Sequence, residues 1–131
     1  MSKSDAATLD VLVEGLAEPT ASEASSRTLG KDEDGVMALS VERVGPRKYS
    51  LAHYYKQNGD MMRDPDVVLF RDERGRWFPV SFRQDGGMPV YTVALEMDAT
   101  GIVGMYRRRY ATVRDFVRLW LRNLRAQHGI K

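Results

Sequence analysis

The most distinctive stretch of this chain in side-chain chemistry is the fourteen residues His53 to Asp66, with His53, Asp60, Asp64 and Asp66 among them. An imidazole beside carboxylates is the material of general acid–base catalysis, or of a metal site if several ligands converge. The spacing matches no calcium loop, and the second histidine, His128, lies far along the chain. The same residues have a structural use. Asn58-Gly59-Asp60 makes a turn, and Asp64-Pro65-Asp66 opens a strand through side-chain-to-backbone hydrogen bonds. The glycine pairs Gly86-Gly87 and Gly101/Gly104 lack the strand–loop–helix order and the lysine of a phosphate loop. No Gly-x-Ser-x-Gly is present, and there is no cysteine. No catalytic residue, metal or cofactor is assigned on these grounds. The competing reading is a small enzyme or metal-binding protein using His53 and the nearby aspartates.

A second group is basic. Arg107, Arg108 and Arg109 precede a helix expected over 112–127, and Arg114, Arg118, Arg122 and Arg125 lie on it. At helical spacing the last four fall within an arc of about 80°. Guanidinium forks match phosphate oxygens, so these seven arginines are a candidate surface for nucleic acid or for a protein partner. A solvated face, or one neutralised within the molecule, is the plainer alternative. Charge placement bears on it: residues 1–35 carry a net −5, residues 36–100 none, and residues 101–131 a net +7. The acidic end is a ready competitor for the basic one.

His53-Tyr54-Tyr55-Lys56-Gln57-Asn58-Gly59-Asp60, followed by Asp64-Pro65-Asp66 and Trp77-Phe78-Pro79-Val80, resembles an uncharacterised bacterial domain family common on plasmids, phages and integrative elements. The likeness covers about residues 40–127, with His53, Gln57, Asn58, Asp60, Asp64 and Asp66 as its markers. It implies a mobile-element accessory protein and transfers no catalytic role.

These residues must be positioned by a modest scaffold. A chain of 131 residues, 43% hydrophobic and 29% charged, suits one α+β domain. Ser4 caps a short helix over 5–16 carrying Leu9, Leu12, Val13 and Leu16. Residues 18–35 read as an acidic flexible tail, which makes 1–35 an appendage to a domain over 36–131. Met37, Leu39 and Val41 alternate as a strand; Tyr49, Leu51, His53 and Tyr55 alternate too, with a helix as the competing reading there, and a polar loop runs from Gln57 to Pro65. Two hairpins follow, turning at 72–75 and 98–101, with Pro79 marking an edge or a bulge. Val113, Phe116, Val117, Trp120, Leu121 and Leu124 form one apolar helical stripe, with Thr112 and Asp115 as its cap and Gly129 its stop. The expected fold is an antiparallel meander of five or six strands, covered on one face by that C-terminal helix.

No apolar run is long enough to span a bilayer and no secretory signal opens the chain, so a cytoplasmic protein without membrane partners is expected. The leading functional reading is a non-enzymatic binding protein acting through a protein partner, with antagonism of host defence as its expected role. Nucleic-acid binding through the arginine-rich helix is the second. The oligomeric state is left open.

Overall fold

The computed structural model describes residues 1–130 except 19, 21–24 and 31–36. Its framework is a six-stranded antiparallel meander, each strand paired with the next in sequence. The strands are β1 (Ser25–Leu29), β2 (Leu39–Gly45), β3 (Lys48–Gln57), β4 (Asp60–Arg71), β5 (Trp77–Gln84) and β6 (Val90–Val93). A two-stranded ribbon, β7 (Leu95–Asp98) and β8 (Gly101–Met105), follows. The helices are α1 (Lys3–Val13) and α2 (Arg107–His128). No helix among the described residues is long and apolar enough to cross a membrane.

The apolar stripe of α2 does what its spacing implies. Val113, Val117, Trp120, Leu121 and Leu124 are buried against Leu39, Val41, Leu51, Val67 and Leu69 of the sheet. Phe116 is half-buried and meets Phe82 edge-on at 4.9 Å. The helix is capped six residues earlier than the capping pattern implies. Nothing between Tyr106 and Thr112 breaks a helix, so it runs back to Tyr106, which serves as N-cap without a side-chain bond. Thr112 sits inside the helix, and its hydroxyl donates to the Arg108 carbonyl at 3.0 Å. Gly129 closes the other end in the left-handed region, φ 65°.

The N-terminal residues are more than an appendage. Ser2, not Ser4, caps α1 by accepting from the Asp5 amide. Leu9, Leu12 and Val13 are buried in the same core as α2. Five residues of the stretch read as a tail, Ser25–Leu29, pair with β2 as an outer strand. Arg27 on that strand donates to the Val11, Leu12 and Glu14 carbonyls, the exposed acceptors at the end of α1. The rest of the expected tail between 19 and 36 lies largely outside the described residues.

The expected polar loop at 57–65 is instead a hairpin. Pairing runs from Tyr54 opposite Arg63 to Gln57 opposite Asp60, leaving Asn58 (φ 53°) and Gly59 (φ 85°) as a two-residue turn. Polar composition hides such strands, because both faces of this extension meet water. Pro79 lies at a bulge: β4 and β5 pair Val68 with Ser81 and then Leu69 with Pro79, skipping Val80. Proline has no N–H to give the ladder there. The second expected hairpin is divided. Residues 90–93 extend the main sheet, and only 95–105 fold back on themselves.

Candidate functional site

The marker residues are spread through the sheet rather than gathered. His53 is buried on the helix side of β3, its ring edge-on to Trp120 at 5.4 Å and 6.2 Å from His128. Asp66 pairs with Ala52, on the face opposite Leu51 and the core. Its Oδ1 accepts from the Ser50 hydroxyl at 2.6 Å, and its Oδ2 lies 3.2 Å from Arg63 Nε. Asp64 Oδ1 accepts from Gln84 Nε2 at 2.7 Å. Gln57, Asn58 and Asp60 are exposed at the hairpin tip, about 13 Å along the strand from His53. Asp85, unmarked by the sequence reading, joins this network. It accepts from the Arg63 amide and from Arg83 Nε, which hold its carboxyl below the ordinary carboxylate value. These carboxylates tie β3, β4 and β5 together. Among the described residues no three metal-ligating side chains come together.

The arginines divide into two sets. Arg125 Nη1 donates to Asp5 Oδ1 at 3.1 Å and to the Thr8 hydroxyl at 3.0 Å, and Arg118 Nε stands 3.8 Å from Asp5 Oδ2. The acidic end of the chain therefore does meet the basic one, through a carboxylate only 4% exposed. Asp5 also lies in the first turn of α1, where the helix dipole favours a negative charge. Arg114 pairs with its neighbour Asp115. Arg109 lies over the Tyr106 ring, 4.5 Å from its centroid. Arg107, Arg108 and Arg122 are exposed, and none forms an ion pair among the described residues.

The chain that follows β5 carries exposed apolar side chains that the arginine count does not reveal. Tyr91 is 68% exposed, Met88 88%, Val103 58% and Met105 49%. Tyr106 is exposed too, and its hydroxyl donates to Glu96 Oε1, which raises the phenol pKa above its ordinary value. A sequence signal was present: no charge occurs from Gly86 to Leu95.

An open cleft of about 660 Å³ lies elsewhere, where the turns after β2, β4 and β7 meet, with Phe70, Phe78 and Ile102 among its walls. Its charges largely serve one another. Asp72 accepts from the Arg74 and Arg76 amides and from Arg76 Nε, while Arg47 donates to its carbonyl. Desolvation pushes the Asp72 pKa up, but these bonds outweigh it and hold the carboxyl below its ordinary value.

In comparisons with known proteins, a family model described as Domain of unknown function (DUF6908) matches residues 12–130. It therefore takes in β1 and the end of α1 as well as the marker hairpin. No curated protein and no solved structure matches the chain.

Proposed function

We propose, from the premise that this chain belongs to the family described as a domain of unknown function (DUF6908), that it is a non-enzymatic binding protein acting through a protein partner. The supporting observation is the mixed surface where β6, β8 and the start of α2 meet. Arg107 and Arg108 follow Met105 and Tyr106 in the chain, Val103 lies on β8, and Tyr91 lies on β6 opposite Arg83; Arg107, Arg108, Met105, Val103 and Tyr91 are all exposed. Arginine, tyrosine and methionine are the residues enriched in protein interfaces. Asp64 and Asp66 of the marker hairpin are engaged in holding strands, which favours binding over catalysis. Nucleic acid is the second reading, and Arg122 with Arg107–Arg109 supports it. The protein reading is preferred because Asp5 occupies Arg118 and Arg125, and Asp115 and exposed Leu119 interrupt the basic face. The proposed setting is that of an accessory protein of a bacterial mobile element, with a host defence component as its target.

The test is capture from bacterial lysate with the tagged full chain, before and after nuclease treatment. A protein retained by the wild type after nuclease, and lost with Arg107→Glu/Arg108→Glu, is the expected result. Retention that vanishes with nuclease and falls steeply with salt transfers the function to nucleic acid. Repeated failure to retain any partner refutes the protein reading.

A further inference from the structure

We infer that the free edge of β6 is a strand-addition site for an extended peptide segment whose acidic residues precede an apolar alternation; this rests on the protein-partner reading above. The two edges of the sheet differ. On β1 a charged side chain, Arg27, sits mid-strand and reaches over to α1, a common way to blunt an edge. Among the described residues, β6 carries no such device. The strand Val90-Tyr91-Thr92-Val93 is uncharged, with Val90 45% and Tyr91 68% exposed.

The hydrogen-bond pattern shows which groups face outward. Ala94 N–H donates to the Val80 carbonyl at 2.8 Å, and the register runs unbroken from Ser81 opposite Val93 to Gln84 opposite Val90. In an antiparallel ladder bonded and non-bonded pairs alternate. Thr92 and Val90 therefore bond inward to β5, while the N–H and C=O groups of Tyr91 and Val93 point away from the sheet.

The position of this edge gives the ligand its charge. Just past β6, Tyr106 N–H donates to the Ala94 carbonyl and Leu95 pairs with Met105. So β8 flanks the same line of chain and stops where β6 begins to be open. A strand added beside β6 continues the line of β8. At that junction the chain turns into α2, which places Arg107–Arg109 at the end of the slot nearest Val93. A peptide antiparallel to β6 brings its N-terminal end there. Acidic residues at that end meet the arginines, and the following alternate side chains lie along Tyr91 and Val93. Main-chain bonds then supply affinity and the arginines supply direction.

The experiment selects random displayed peptides on the full chain and follows the enriched sequence with a synthetic peptide. The expected sequence has acids first and alternating β-branched or aromatic residues after. N-methylation along that peptide is expected to weaken binding at every second residue, because only alternate amides bond to an edge. Tyr91→Pro removes one outward donor and no bond to β5, and should weaken binding roughly tenfold with the melting temperature nearly kept. Arg107→Glu/Arg108→Glu should weaken it by about the same factor at low salt, and less at high salt. Loss at every methylated position alike, or no alternation, overturns strand addition whatever Tyr91→Pro does. A library that yields no binder overturns it too, while the protein-partner reading is judged separately by lysate capture. A dimer in sedimentation that Tyr91→Pro dissociates shows a second copy of the chain as the occupant, and also overturns the proposal.

Discussion

Replacing Asp5 with alanine should destabilise the molecule by removing the buried end of an ion pair. Its carboxylate is 4% exposed and takes Arg125 Nη1 at 3.1 Å, with Arg118 Nε at 3.8 Å. Breaking a fully buried pair costs about 3–5 kcal/mol, because one charge is left stranded. Here the cations can recover water, since the Arg125 side chain is 24% and the Arg118 side chain 55% exposed. That discounts the loss to about 2 kcal/mol, in keeping with a charge-assisted hydrogen bond. Losing a negative charge from the first turn of α1 adds about 0.5 kcal/mol. For a chain of this length the sum lowers Tm by roughly 6–12 °C. Asp5→Asn should fare little better, because the guanidinium loses its counter-charge. Urea unfolding of Asp5→Ala, Arg125→Ala and the double variant provides the check. A coupling energy of about 1 kcal/mol or more is expected. An Asp5→Ala loss below about 0.5 kcal/mol, or additive single effects, would refute the idea that this pair holds α1 in place.

Other consequences are open to direct measurement. Gly59 sits at φ 85° with open space where a Cβ would go, so Gly59→Ala should cost about 1–2 kcal/mol through backbone strain alone, measurable by urea unfolding. Trp77→Phe removes the indole donor to Asp10 Oδ1 at 2.9 Å and part of a buried ring, and should lower stability by about 2 kcal/mol in the same assay. Desolvation holds the His128 pKa below its ordinary 6.5. The unfolded chain therefore takes up the proton first: stability is full above 6.5 and declines as pH falls from there towards the folded-state value. In unfolding measured across that range, His128→Gln should flatten this part of the profile, and an unchanged slope would assign it to other groups.

How much of this was legible in the sequence depended on where information resides. The α2 stripe was legible, because six apolar residues at a 3.6 period admit one arrangement. The start of α2 was not, since Thr112 looks like a cap and only the bond from Tyr106 to Ala94 shows where the strand ends. The meander was legible from its turns. The Asn58-Gly59 hairpin was half-legible: the turn chemistry was plain, but strands wet on both faces carry no hydrophobic alternation. β1 was hidden, because Ser25-Ser26-Arg27-Thr28-Leu29 has a single large apolar residue and is strand only by pairing with β2. Within the candidate surface, the arginine arc could be counted, and neutralisation by the acidic end was one of the readings that the charge count left open. That Asp5 would be the partner, and that Arg107 and Arg108 would stay open beside a bare strand edge, required the fold.

The contact between Asp5 and Arg125 joins residues 120 positions apart. Closing so wide a loop carries an entropy cost that the neighbouring hairpins do not bear. The meander can assemble from local pairings as it is synthesised, but the contacts of α1 with α2 must wait until that later helix is made. Until then Leu9, Leu12 and Val13 face no partner on α2. Docking of α1 is thus expected late in folding, and mutations at Asp5 should speed unfolding far more than they slow folding.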